Sequence, residues 1–86
     1  SKIDADNYIF DGKITIKDFC KVLEDTSEEK FEEHKGESET IAGFILEISG
    51  KFPKIGEKIT FDIYTFTIEA IDRKRIKQLK VTRQHV

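Results

Sequence analysis

Apolar residues recur along this chain at two spacings, and the change between them falls at Pro53. Ile41, Phe44, Ile45 and Ile48 stand at i, i+3, i+4 and i+7, and Ile16, Phe19, Cys20 and Leu23 repeat that interval. This spacing gathers side chains on one face of a helix of about 3.6 residues per turn. Two amphipathic helices are therefore predicted, the first running to about Glu24. Thr15 precedes Asp18 by three residues, as in a capping box, and Thr40 can cap the second helix with its hydroxyl. Gly50 suits the left-handed position just past a helix end, and Pro53, with no backbone N–H, keeps the helix from resuming.

After Pro53 the period becomes two. Ile59, Phe61 and Ile63 alternate with polar neighbours, and Tyr64, Phe66, Ile68 and Ala70 alternate with Thr65, Thr67 and Glu69. Apolar parity flips between Ile63 and Tyr64, which requires a turn or bulge near Asp62, because a one-residue slip carries every apolar group to the other face. Residues 72–74 make a further turn, and Ile76, Leu79 and Val81 form a last strand with its own parity break after Ile76. Upstream, residues 8–10 are β-prone, Asp11-Gly12 signals a turn, and Ile14-Thr15 is expected to return as a small hairpin. The pattern predicts one α+β domain over residues 1–86, two-layered, with a mainly antiparallel sheet and two helices packed on one face.

Composition adds the constraint of size. A chain of 86 residues supports a single core, built here from seven Phe and β-branched residues with no Met or Trp. The longest apolar run, residues 41–46, is far short of the roughly 20 residues that cross a bilayer, so no direct membrane insertion is expected. No basic stretch followed by an apolar one opens the chain, so no secretory signal is expected. The single Cys20 lies on the apolar face of the first helix and reads as a buried thiol.

Charge nearly balances at −2 but is unevenly placed. Residues 24–39 carry a local net of −6, with Phe31 the lone large apolar group among them, and a mobile acidic loop, with room for one helical turn, is expected at about 25–39. Carboxylates on such a loop make a poor magnesium site, since that ion demands near-octahedral geometry. Residues 51–86 carry a net of +5, too modest to indicate nucleic-acid binding. Placing Gly12 at the sixth position of a calcium loop leaves Ile9 at the third and Asp18 at the last, which removes two oxygen ligands and rejects that site. Neither His34 nor His85 stands in a pattern that suggests a triad or a zinc site, and no phosphate-loop glycine pattern is present. The residues read as a non-enzyme with no metal site. Lys51, Phe52, Pro53 and Lys54, together with Arg73, Lys74 and Arg75, are the candidate interaction surface: an aromatic held by proline among cations is a preorganised anchor, and with Lys77 these bases form a rim suited to an anionic ligand or an acidic surface.

Particular residues carry a family resemblance. Thr40, Gly43, Gly50, Pro53, Gly56, Glu57, Arg75 and Ile76, with the earlier Phe10, Asp11 and Gly12, stand where matching residues stand in the transporter-associated domain of the CorC/HlyC family, magnesium and cobalt efflux proteins and hemolysin homologues. The chain resembles that domain over nearly its whole length, departing at Ala42, where a glycine is common, and at Ser49, where a leucine is. The resemblance implies a regulatory or accessory role on the cytoplasmic side of the bacterial inner membrane, following a membrane domain and a pair of CBS domains. It implies contact with those domains or with a second copy, as a homodimer, through an exposed apolar patch on the sheet. Fold kinship of the family to a subdomain of FAD-binding proteins supplies an alternative, a sensor of FAD or an adenine nucleotide, for which helix starts near Thr15 and Thr40 would offer amides.

Overall fold

The computed structural model describes residues 3–24 and 28–84. Seven elements follow in order: β1 (Asn7–Asp11), α1 (Ile16–Val22), α2 (Glu28–His34), α3 (Ile41–Ser49), β2 (Lys58–Phe61), β3 (Tyr64–Asp72) and β4 (Arg75–Arg83). The strands form one antiparallel sheet in the order β1-β4-β3-β2, with the helices on one face.

The helix signals act locally, as their chemistry requires. Thr15 Oγ1 accepts from the Asp18 amide at 3.1 Å, and Thr40 Oγ1 from the Gly43 amide at 3.2 Å. Gly50 ends α3 at φ 71°, its amide bonded to the Leu46 carbonyl. The parity flip before Tyr64 is a tight turn with Asp62 at φ 56°, and the next hairpin turns through Arg73 at φ 60°. The break after Ile76 is a double irregularity in the β3–β4 ladder, between Ile68 and Ala70 and between Ala70 and Ile71.

Three expectations are corrected. β1 does not pair with Ile14-Thr15; Tyr8 and Phe10 oppose Val81 and Leu79 of β4 instead, where both rings reach the common core. Thr15 forms an isolated bridge with Thr40, and the Ile16 and Ile41 amides donate across it to Glu39 and Ile14, so the two capped helix starts are tied together. The second correction concerns the acidic stretch. Residues 28–34 form a third helix, α2, because Phe31 buries completely between α1, α3 and the sheet. Its ring lies 5.0 Å from Phe44, 5.1 Å from Phe61 and 5.6 Å from Phe19. A fully buried Phe stabilises by roughly 2–3 kcal/mol, which anchors a helix whose other side chains are largely charged. Residues 25–27 of the predicted loop, and His85, lie outside the described residues.

The core face of the sheet carries Tyr8, Phe10, Tyr64, Phe66, Ile68, Leu79 and Val81. On the opposite face Asn7, Thr82, Thr65 and Thr60 stand in one cross-strand row, and Ile9, Lys80, Thr67 and Lys58 in the next. That face is hydroxyl-rich and polar, which corrects the expectation of an exposed apolar patch on the sheet.

Candidate functional site

Four large apolar side chains are exposed among the described residues, Ile3, Val22, Phe52 and Ile55, and the last two stand together on the loop joining α3 to β2. Phe52 is 40% exposed and Ile55 is 64% exposed, three residues apart, among the exposed Lys51, Lys54 and Lys58. Pro53 points the other way and is buried. The loop is pinned along its length: Ser49 Oγ donates to the Lys51 carbonyl at 2.7 Å, and the Lys54 amide to Glu57 Oε1 at 3.1 Å. The Gly56 amide reaches the Ile68 carbonyl at 2.7 Å and the Glu57 carbonyl accepts from the Ile68 amide at 3.0 Å, extending the sheet edge into the loop. Gly56 adopts φ 87°, a conformation that glycine enters without a Cβ penalty. Lys51 is loosely paired with Glu57 at 3.9 Å. An aromatic and an aliphatic side chain presented on a rigid, lysine-bordered loop lose little conformational entropy on binding, as a contact surface requires.

Arg73, Lys74 and Arg75 sit apart from it, on the β3–β4 turn, five residues beyond Ile68 and so roughly 15 Å along the strand. The predicted basic surface is therefore two patches. Lys74 and Arg75 border a concavity of about 320 Å³ whose other walls come from the β1–α1 turn and α3. None of residues 51–54 lines it.

Most of the amides expected to serve a phosphate are engaged. At the start of α3 the Ile41, Ala42, Gly43 and Phe44 amides donate to Ile14 O, Gly12 O, Thr40 Oγ1 and Thr40 O. At the start of α1 the Ile16, Asp18 and Phe19 amides donate to Glu39 O, Thr15 Oγ1 and Thr15 O. These bonds tie the domain together and leave the α3 terminus no phosphate cradle of the kind the FAD or adenine-nucleotide alternative needs.

Among the described residues, no group of three or more His, Cys, Asp or Glu side chains is arranged to hold a metal ion. Ion pairs tie α2 to its surroundings: its Lys30 meets Asp62 at 3.2 Å, and Lys35, just past its end, meets Glu32 at 3.4 Å and Glu39 at 3.0 Å. The hydrogen bond to Glu39 holds the Lys35 ammonium above its ordinary pKa, against a smaller opposing effect of desolvation, with Glu32 adding to the rise. Cys20 is buried on α1 as its place on the apolar face predicts.

Sequence reasoning placed Lys77 with Arg73, Lys74 and Arg75 in a basic rim, and missed Ile55, Lys58 and Lys13. Ile55 had a signal, an apolar residue between Pro53 and Gly56 that belongs to neither period. Lys13 had none, since only the fold brings the first turn to the last strand.

The structure is a two-layer α+β module with a pinned loop that exposes Phe52 and Ile55. The sequence model of the transporter associated domain, CorC_HlyC, matches residues 1–85, and the chain belongs to that family. It is 36% identical over 80 residues to the polyamine export protein of Salmonella typhimurium, covering 93% of this chain, and it spans 17% of that relative's length. Its fold matches the transporter associated domain from a CBS domain protein of Porphyromonas gingivalis with a TM-score of 0.87 and 26% identity, covering 99% of this chain and 97% of the other. An associated region of a proposed Mg²⁺ and Co²⁺ transporter (CorC) from Neisseria meningitidis matches with a TM-score of 0.76 and 23% identity, covering 95% and 94%. No helix among the described residues is long and apolar enough to cross a membrane.

Proposed function

We propose that this chain is a non-catalytic regulatory domain of a larger membrane exporter, docking on the preceding CBS domains or membrane domain on the cytoplasmic side of a bacterial inner membrane. The observation that carries the reading is the pinned loop that exposes Phe52 and Ile55 among lysines, a surface without a role in this domain's own core. Family membership and the 17% share of the curated relatives support a parent protein. Identity of 36% to polyamine export proteins favours an organic polycation as the parent's cargo over magnesium or cobalt, because the likeness to the proposed Mg²⁺ and Co²⁺ transporter's region is a likeness of fold.

The test is export by the full parent carrying Phe52→Ser and Ile55→Ser. Efflux of labelled spermidine and of Mg²⁺ is measured against the unmodified parent at equal membrane abundance. Altered spermidine efflux is expected with Mg²⁺ unchanged. Unaltered efflux of both would remove the regulatory reading, and altered Mg²⁺ efflux alone would return the cargo to a divalent cation.

A further inference from the structure

The concavity beside α3 has a composition that the docking loop does not explain. Its floor is apolar: Ala42 and Leu46, one turn apart on α3, face Ile76 of β4 across Gly12. Its rim carries Lys13, Lys74, Arg75 and Lys77 against Asp11 and Asp72. Among the described residues none of these four cations forms an ion pair, whereas Lys30, Lys35 and Lys51 all do. One of the two acids is already engaged, since Asp11 Oδ1 accepts from the Lys13 amide at 2.8 Å, and Asp72 stands opposite Arg75 across the hairpin.

The walls are fixed before any ligand arrives. The Gly12 amide donates to the Lys77 carbonyl at 2.9 Å and the Gly12 carbonyl accepts from the Ala42 amide at 3.1 Å, locking the first turn between β4 and α3. Clustered cations of one sign repel, and the half-buried Ala42 and Leu46 leave apolar surface open among them; a ligand that is anionic at one end and apolar along its body relieves both.

We infer that this concavity binds a small amphipathic organic anion, a carboxylate whose apolar body lies on Ala42 and Leu46, beside the buried Ile76, and whose charge meets Lys13, Lys74, Arg75 and Lys77. The volume of about 320 Å³ is at the low end for small-molecule sites and suits a short acyl chain or a single ring. A bare inorganic anion forgoes the floor and finds no amide cradle, because the α3 amides are engaged. An aliphatic ammonium of equal size meets the wrong sign at the rim. The site is independent of the docking loop, which contributes no residue to it.

The probe is sodium octanoate, added to the isotope-labelled chain at constant ionic strength and followed by the amide resonances, with sodium acetate and octylammonium chloride as comparisons. Saturable shifts concentrated at Gly12, Ala42, Leu46 and Ile76 are expected, with affinity about tenfold or more above that for either comparison. Lys74→Glu combined with Arg75→Glu, both exposed on the turn, should weaken octanoate about tenfold and leave distant resonances in place. Ala42→Leu, which fills the floor and keeps every charge, should also weaken it. Scattered or unsaturated shifts, equal affinity for octylammonium, or insensitivity to both variants would overturn the assignment.

Discussion

Gly12 lies directly beneath the Ile76 carbonyl, so close that a Cβ on residue 12 would overlap the carbonyl oxygen and approach its carbon to 3.0 Å. The obstacle is backbone, which cannot rotate aside. Gly12→Ala should therefore cost about 2–4 kcal/mol, measured by urea unfolding. Gly50 provides the contrast: its Cβ would meet nothing within 4 Å, and its cost arises from φ 71° alone, about 1–2 kcal/mol. Equal losses at the two positions would mean that the close approach of the first turn to β4 is absent.

Phe31 turns an acidic stretch into part of the core. Phe31→Leu should lose about 1–2 kcal/mol and Phe31→Ala about 3–5 kcal/mol, while the exposed Glu29→Ala should stay within about 0.5 kcal/mol. Thermal unfolding followed by tyrosine fluorescence measures all three. A Phe31→Ala protein as stable as the parent chain would restore the loop reading.

Arg83 closes the far end of the sheet. Its Nη1 donates to the Leu23 carbonyl at 2.8 Å, just past α1, and its guanidinium lies 5.8 Å from the Tyr8 ring centroid. Lysine keeps the charge but loses the planar fork, so Arg83→Lys should cost about 1–2 kcal/mol. Hydrogen exchange at the last turn of α1 should rise in that variant more than at α3.

Asp4 Oδ1 accepts from the Asp6 amide at 2.9 Å and the Asn7 amide at 3.0 Å, and Asn7 Nδ2 bonds the same carboxylate. The Asp6 bond first, then that from the Asn7 side chain, holds its pKa below the ordinary aspartate value. A carboxylate lowered on folding contributes stability that is present above its unfolded pKa and lost as pH falls through the folded one. Asp4→Asn should flatten the decline of stability in acid and leave the neutral-to-alkaline profile unchanged. A pH profile identical to the parent chain's below the aspartate range would contradict this.

Signals confined to a few neighbouring residues were legible in the sequence. Thr40, Gly50 and the Asp62 turn act through bonds and dihedral angles within four residues, and each stands where its chemistry puts it. The partner of β1 was not legible, because Tyr8 and Val81 meet only after the whole chain has folded, whereas Asp11-Gly12 offers a nearer return. Nor was α2, since one phenylalanine among charges has no period to detect. The two candidate basic segments were recognisable singly. Their separation along β3, and the joining of Lys13 to Lys77, follow from strand order, which local patterning does not encode.

Amide hydrogen exchange of this chain alone, compared with the same residues inside the proposed parent protein, tests the docking account most directly. The account predicts added protection concentrated at Lys51, Phe52, Lys54 and Ile55, lost again when Phe52 and Ile55 are both changed to serine, with the stability of the isolated chain altered by no more than about 0.5 kcal/mol. Protection unchanged throughout that loop in the parent would contradict it.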